Sequence, residues 1–197
     1  MRQTNPPSDN KPRYIIYGLP KSGTNYLNSL LCHDNNCLNV HRVGDRLWKH
    51  NTISRPDEPC VVVFVYRPLI GWLNSISKVK GSTSRWFRQN RGVVFANPAS
   101  AAPYYIQYVS EQARRADVVI SLKSLLENHS EEASRLSGRG LIVAEPHDRR
   151  VNSAGKITEE RIEKKPESVS GYTSDQIQYL LFLLESGYGD MVSQITT

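Results

Sequence analysis

The sequence predicts an α/β domain, a three-layer sandwich in which a central parallel sheet carries helices on both faces. Three observations lead there. Short apolar, β-branched runs alternate along the chain with segments of helical spacing. The clearest run, CVVVFVYRP over 60–68, is continuously apolar, the pattern of a strand buried on both faces. A turn bounded by Gly18 and Gly23 follows the first run directly and opens into a helix.

In order, residues 13–17 read as the first strand and 24–32 as the helix after the turn. CLNVHR, 37–42, reads as a short second strand. The run at 60–68 is the third, and Pro68 stops it. LIGWLNSISKV, 69–79, places apolar residues at 69, 70, 72, 73, 76 and 79, a helical spacing. Pro103 is expected to open a helix to about Ala116, since proline suits a first turn. DVVISL, 117–122, is a strand, and a helix follows over roughly 123–136. GLIVA, 140–144, is the last expected strand, and the polar stretch 145–171 reads as irregular. Thr173 and Gln176 form a capping-box pattern before a helix over 174–186, which Gly187 ends. Residues 1–12 read as a flexible lead-in and 13–197 as a single domain.

The bulk numbers narrow the class. A chain of 197 residues is long enough for one real core, and 39% hydrophobic with 22% charged residues is ordinary for a soluble protein. The longest apolar run, 60–66, is too short to span a bilayer. MRQTNPPSDNKPR is polar and does not read as a signal peptide. Cys32, Cys37 and Cys60 are odd in number and lack metal-ligand spacing. They are expected to be free thiols in a reducing compartment, which points to the cytoplasm and to no metal site. The formal net charge of +6 suits an anionic ligand and equally suits a solubility charge. The basic and aromatic residues form no nucleic-acid motif. Oligomeric state stays open.

Parallel sheets bind ligands at the carboxyl ends of their strands. The turn at 18–24 and Arg67 both fall there. Gly18 and Gly23 have the separation of a nucleotide-binding P-loop, so the fold is expected to be P-loop-like. Yet Lys21 lies inside the turn, and Thr24-Asn25 follow Gly23 in place of Lys and a hydroxyl residue. The central strand ends in Tyr66-Arg67, not in a metal-binding carboxylate. A cation there favours a second phosphate. The plainer alternative is a Gly/Pro turn with a solvated lysine.

YGLPKSGTNYL resembles the 5′-phosphosulfate loop of PAPS-dependent sulfotransferases, P-K-[SA]-G-[TS]-x-[WFY]-[LI], and Pro20, Lys21, Ser22, Gly23, Thr24, Tyr26 and Leu27 all fit. The family's second motif is a strand, an Arg, and a Ser eight residues on; VVFVYRPLIGWLNSIS supplies Arg67 and Ser75. DVVISLKSLLENHSEEASRL is similar to a third strand–helix segment, with Leu122 where the family has tyrosine. The C-terminal R-K-G-x-x-G motif is not recognisable, and RLSGRG at 135–140 only mimics it. The basic residues Arg149, Arg150, Lys156, Arg161, Lys164 and Lys165 are a better nucleotide cover, or else solvated charges.

The resemblance implies transfer of a sulfuryl group from PAPS (3′-phosphoadenylyl sulfate) to a hydroxyl or amine, leaving adenosine 3′,5′-bisphosphate. It implies that Lys21 and the N–H groups of Ser22, Gly23, Thr24 and Asn25, with the Thr24 hydroxyl, hold the 5′-phosphate side, with Tyr26 in the same motif, and that Arg67 and Ser75 bind the 3′-phosphate. WKHN, 48–51, is similar to the family's K-T-H stretch, making His50 the base and Lys49 a helper, with His41 and Asp45 as rivals. Residues 80–105 mix Trp86, Phe87, Tyr104 and Tyr105 with Arg85, Arg88 and Arg91, either as a lid over an anionic acceptor or as core anchors. His33, His129 and His147 read as surface residues. Two other functions stay open: a magnesium-ATP-dependent P-loop kinase of a small molecule, and a non-catalytic binder of phosphorylated ligands. The acceptor is expected to be a small molecule or glycan that the sequence does not name.

Overall fold

The computed structural model describes residues 11–39, 42–151 and 157–161. Four strands form one parallel sheet: β1 (Arg13–Tyr17), β2 (Asn36–Cys37), β3 (Val61–Tyr66) and β4 (Val118–Ser121), in the order β2-β1-β3-β4. Tyr66 pairs with Ser121, so β3 and β4 end level, while Tyr17 pairs with Phe64, so β3 runs two residues beyond the end of β1. Alternate side chains feed two cores. Tyr14, Ile16, Val63 and Val65 pack against α1 (Thr24–Leu31), α5 (Leu122–Glu127) and α6 (His129–Ser137) through Leu27, Leu30, Leu125 and Leu136. Ile15, Tyr17, Val62 and Phe64 pack against α2 (Leu69–Ile76), α3 (Gly81–Arg91) and α4 (Pro98–Ala113) through Trp72, Leu73, Phe87 and Tyr105. Helices therefore cover both faces of an α/β sheet, as the continuous apolar strands require.

The connections place the functional edge. From β1 the chain crosses through α1 to β2 on one side; from β3 it crosses through α2, α3 and α4 to β4 on the other. α1 and α2 thus leave adjacent strands towards opposite faces, so the carboxyl ends of β1 and β3 form the switch point of the sheet, where a crevice is expected. Open α/β sheets bind ligands at such a switch point.

Several expectations need correction. GLIVA forms no strand: Leu141 is buried, but Ile142 is 52% exposed. The segment runs as a strap beside α1. Ala144 N–H donates to the Leu30 carbonyl (2.8 Å), and the Asn35 side chain bonds both the N–H (3.0 Å) and the carbonyl (2.6 Å) of Ile142. Pro103 does not open its helix. Asn97 caps α4, accepting from Ala99 N–H (3.1 Å), and Pro98 takes the favoured first position, leaving Pro103 inside. Asn128, at φ −125° and ψ 46°, divides the helix expected over 123–136 into α5 and α6. The second strand is only Asn36–Cys37, and α3 occupies part of the stretch 80–105 read as a lid or as core anchors. The polar stretch after 145 contains an antiparallel pair, β5 (Arg149–Val151) and β6 (Ile157–Arg161). His41, Lys156, Lys164, Lys165 and the helix expected over 174–186 lie outside the described residues. Among the described residues no helix is long and apolar enough to cross a membrane.

Candidate functional site

The site is built from the turn upward. Gly18 sits so close to β3 that a Cβ there would lie 2.3 Å from the Val65 carbonyl oxygen. Its N–H donates to the Lys49 carbonyl (2.9 Å). Lys21 holds a left-handed backbone, φ 68°, and its side chain is exposed. Ser22 N–H closes the turn on the Leu19 carbonyl (3.0 Å). That N–H, expected among the anion donors, is therefore engaged within the turn itself. The Ser22 hydroxyl is buried and, among the described residues, has no hydrogen-bond partner. Gly23 has φ 92°, a backbone conformation that favours glycine, and a Cβ on it would meet Leu122 Cδ1 at 2.5 Å and force that side chain to shift. α1 starts here with no side-chain cap and no acid in its first turn. A helix start of this kind leaves N–H donors and positive dipole facing the turn. Thr24 is buried, with its methyl group toward Gly18.

Arg67 leaves the end of β3, and Nη1 donates to Ser75 Oγ (2.7 Å). Two contacts fix this unit. The Tyr105 hydroxyl donates to the Arg67 carbonyl, and Trp72 Nε1 donates to the Pro20 carbonyl (2.8 Å). The indole thus ties the helix carrying Ser75 to the turn carrying Lys21. The two sequence motifs are one piece of structure.

The segment carrying Lys49 and His50 lies against the same turn. Lys49 is buried, and its ammonium donates to Asn25 Oδ1; burial holds its pKa below the usual lysine value. His50 Nδ1 lies 2.6 Å from the Gly18 carbonyl oxygen. A carbonyl only accepts, so Nδ1 carries a proton and the neutral ring has its lone pair on Nε2. The segment is anchored by Tyr108 hydroxyl to Asn51 carbonyl (2.6 Å) and by Ile53 N–H to Gln112 Oε1 (2.7 Å). The rival Asp45 meets this segment through its backbone carbonyl, which accepts from Trp48 N–H (3.0 Å).

Other expected residues are placed differently. The Tyr26 hydroxyl donates to the His147 carbonyl (3.0 Å), and its ring meets the His147 ring edge-on, centroids 4.9 Å apart. Tyr26 thus holds the strap. His147 is half-buried, not a surface residue, with Nε2 2.9 Å from Ser29 Oγ; His129 is half-buried too, while His33 is exposed. Phe87 and Tyr105 are core, and Trp86 and Tyr104 are partly buried, so these aromatics act as anchors. Arg85, Arg88 and Arg91 stay exposed. Arg149 lies beside Asp148 (3.6 Å), on a strand that packs next to α1. Arg150 and Arg161 fall on β5 and β6. Arg135 of RLSGRG pairs with Glu132 (2.6 Å), a structural role. Trp72, Tyr105 and His147 went unread as supports, because each works through a backbone carbonyl or hydroxyl that only the fold brings near.

No protein-family model, curated protein or solved structure matches this chain.

Proposed function

We propose that the chain is a sulfotransferase that moves a sulfuryl group from PAPS to a hydroxyl or amine. The observation that supports this reading is the Trp72–Pro20 hydrogen bond (2.8 Å), which joins the helix carrying Ser75, the hydrogen-bond partner of Arg67, to the turn carrying Lys21. One anionic group fits the turn, since no side chain caps the start of α1 and, among the described residues, the buried Ser22 hydroxyl has no hydrogen-bond partner. A second fits Arg67, whose guanidinium offers a planar fork for phosphate.

The bound donor supplies an activated sulfuryl group on its 5′-phosphate. Lys21 stabilises negative charge that grows on the leaving side. Ser22 Oγ and the first N–H groups of α1 hold and orient the 5′ end. Arg67 and Ser75 hold the 3′-phosphate and set the register of the nucleotide in the crevice. Lys49 keeps Asn25 in place through its hydrogen bond to Asn25 Oδ1. His50 takes the acceptor's proton at Nε2, and its Nδ1–H bond to Gly18 keeps the ring aimed. Such a base typically contributes about 10²–10⁴-fold. No carboxylate follows β3, which disfavours the kinase alternative.

A thermal-shift panel with adenosine 3′,5′-bisphosphate, magnesium-ATP and AMP tests the reading. Ligand at a hundredfold excess over Kd stabilises by about 2.7 kcal/mol. The bisphosphate is expected to raise melting most. A larger rise with magnesium-ATP would support a kinase instead.

A further inference from the structure

Between Glu58 and Glu111 the chain contains no acid, but it contains Arg67, Lys78, Lys80, Arg85, Arg88 and Arg91. This stretch alone accounts for the formal net charge of +6; elsewhere Lys and Arg balance Asp and Glu. Apart from Arg67, these cations lie on α3 or on the short connection leading into it. All five are exposed, and among the described residues none forms an ion pair. Phe87 is the buried residue of the helix, and Arg85 points away from it. Lys80 occupies the N-cap position, where no side chain caps the helix and no acid follows in the first turn. A cation there opposes the helix dipole and forgoes a cap, so the start of α3 is poorly arranged for stability, whereas Arg88 and Arg91 in its last turn suit the dipole. Such local conflicts are expected where function sets the residue.

The helix leads to the proposed base. Arg91 Nη2 donates to Asn51 Oδ1 (3.1 Å), next to His50 in the chain, and its guanidinium lies 5.4 Å from the centre of the Trp86 ring. Trp86 meets Trp48 edge-on (4.9 Å), and Trp48 meets His50 edge-on (5.2 Å). From Arg85 to Arg91 the helix rises about 9 Å, so an extended acceptor would meet several cations while its end reaches His50.

We propose that α3 is the acceptor-binding face, and that the acceptor is a polyanionic saccharide carrying carboxylate or sulfate groups beside its hydroxyls. The proposal rests on the transfer reading of the same site. A saccharide suits this surface better than an acidic peptide, because its hydroxyls and anions recur together. Any ring presented to His50 leaves further anions over α3. In the transfer, His50 Nε2 takes the hydroxyl proton while the acceptor oxygen bonds to sulfur. The sulfur–oxygen bond to the leaving phosphate breaks, and that phosphate keeps the electron pair.

The test is fluorescence anisotropy of a labelled heparin-derived hexasaccharide with the full chain, over a salt series. The comparison protein carries Lys80→Ser, Arg85→Ser and Arg88→Ser, which spare Arg91 and the crevice. The wild type is expected to bind and to weaken with salt. The variant is expected to bind about tenfold more weakly, as loss of three exposed charge contacts implies. Its melting shift with adenosine 3′,5′-bisphosphate is expected to stay unchanged, which also reports an intact fold. Equal binding by wild type and variant, no binding by the wild type, or tighter binding of an acidic tyrosine peptide of equal charge would overturn the proposal. Saccharide binding through α3 without a bisphosphate shift in the wild type would overturn the transfer reading and leave α3 as a polyanion-binding face.

Discussion

Lys21 adopts a left-handed backbone conformation, which costs a non-glycine residue about 1 kcal/mol or more. Strain of this kind persists where a side chain is needed at that point. Lys21→Gly is therefore expected to melt above Lys21→Ala, the reverse of the usual order, while both lose affinity for the bisphosphate. Equal melting of the two variants would remove the strain from the account. Lys49 makes a pH-dependent prediction. Burial lowers its pKa, so the unfolded chain binds this proton more readily than the folded one. Stability then rises with pH up to the ordinary lysine value of 10.5. Lys49→Met is expected to lose that part of the rise, seen as a flatter plot of Tm against alkaline pH. An unchanged slope would assign the rise to other groups.

At the level of elements, the close approach of α1 and α5 is the sensitive joint. Gly23→Ala must adopt φ 92° and push Leu122 Cδ1 from a 2.5 Å contact, and it is expected to cost about 1–3 kcal/mol, most of it backbone strain. Adding Leu122→Ala should relieve the steric part only, which urea unfolding of the single and double variants would measure. Asp117 pins β4 to β3: it accepts from Val62 N–H (2.8 Å) and pairs with Arg55 (2.7 Å). The Arg55 hydrogen bond is the main reason its pKa falls below 3.8, so its contribution holds above that pH and is lost as pH drops through the lowered value. Asp117→Asn is expected to flatten the acid limb of the stability curve. The same scale shows what the sequence could tell. β3 was legible because a strand buried on both faces needs a continuous apolar run. GLIVA has the same composition, yet it packs on α1 beyond the sheet, held by Asn35 from more than a hundred residues away in the chain. Local pattern does not carry such a partner. Pro103 misled because Asn97 and Pro98 together make the stronger helix start.

Across the whole molecule, the strand order supplies what no single motif does. The turn and Arg67 were each legible from residue type and spacing, and the parallel sheet placed both at strand ends. Their direct connection was not legible, because it runs through an indole N–H and a proline carbonyl brought together by α2. The orientation of His50 likewise depends on a carbonyl that the sequence cannot show. The central claim is that the turn and Arg67 hold the two phosphates of one nucleotide. Calorimetric titration of wild type and Arg67→Ala with AMP and with adenosine 3′,5′-bisphosphate tests it most directly. The account expects the wild type to prefer the bisphosphate by about 10-fold or more, in line with a charge-assisted hydrogen bond worth about 1.5–3 kcal/mol. It expects Arg67→Ala to bind both ligands equally, with AMP affinity unchanged. An undiminished preference for the bisphosphate in Arg67→Ala would contradict it.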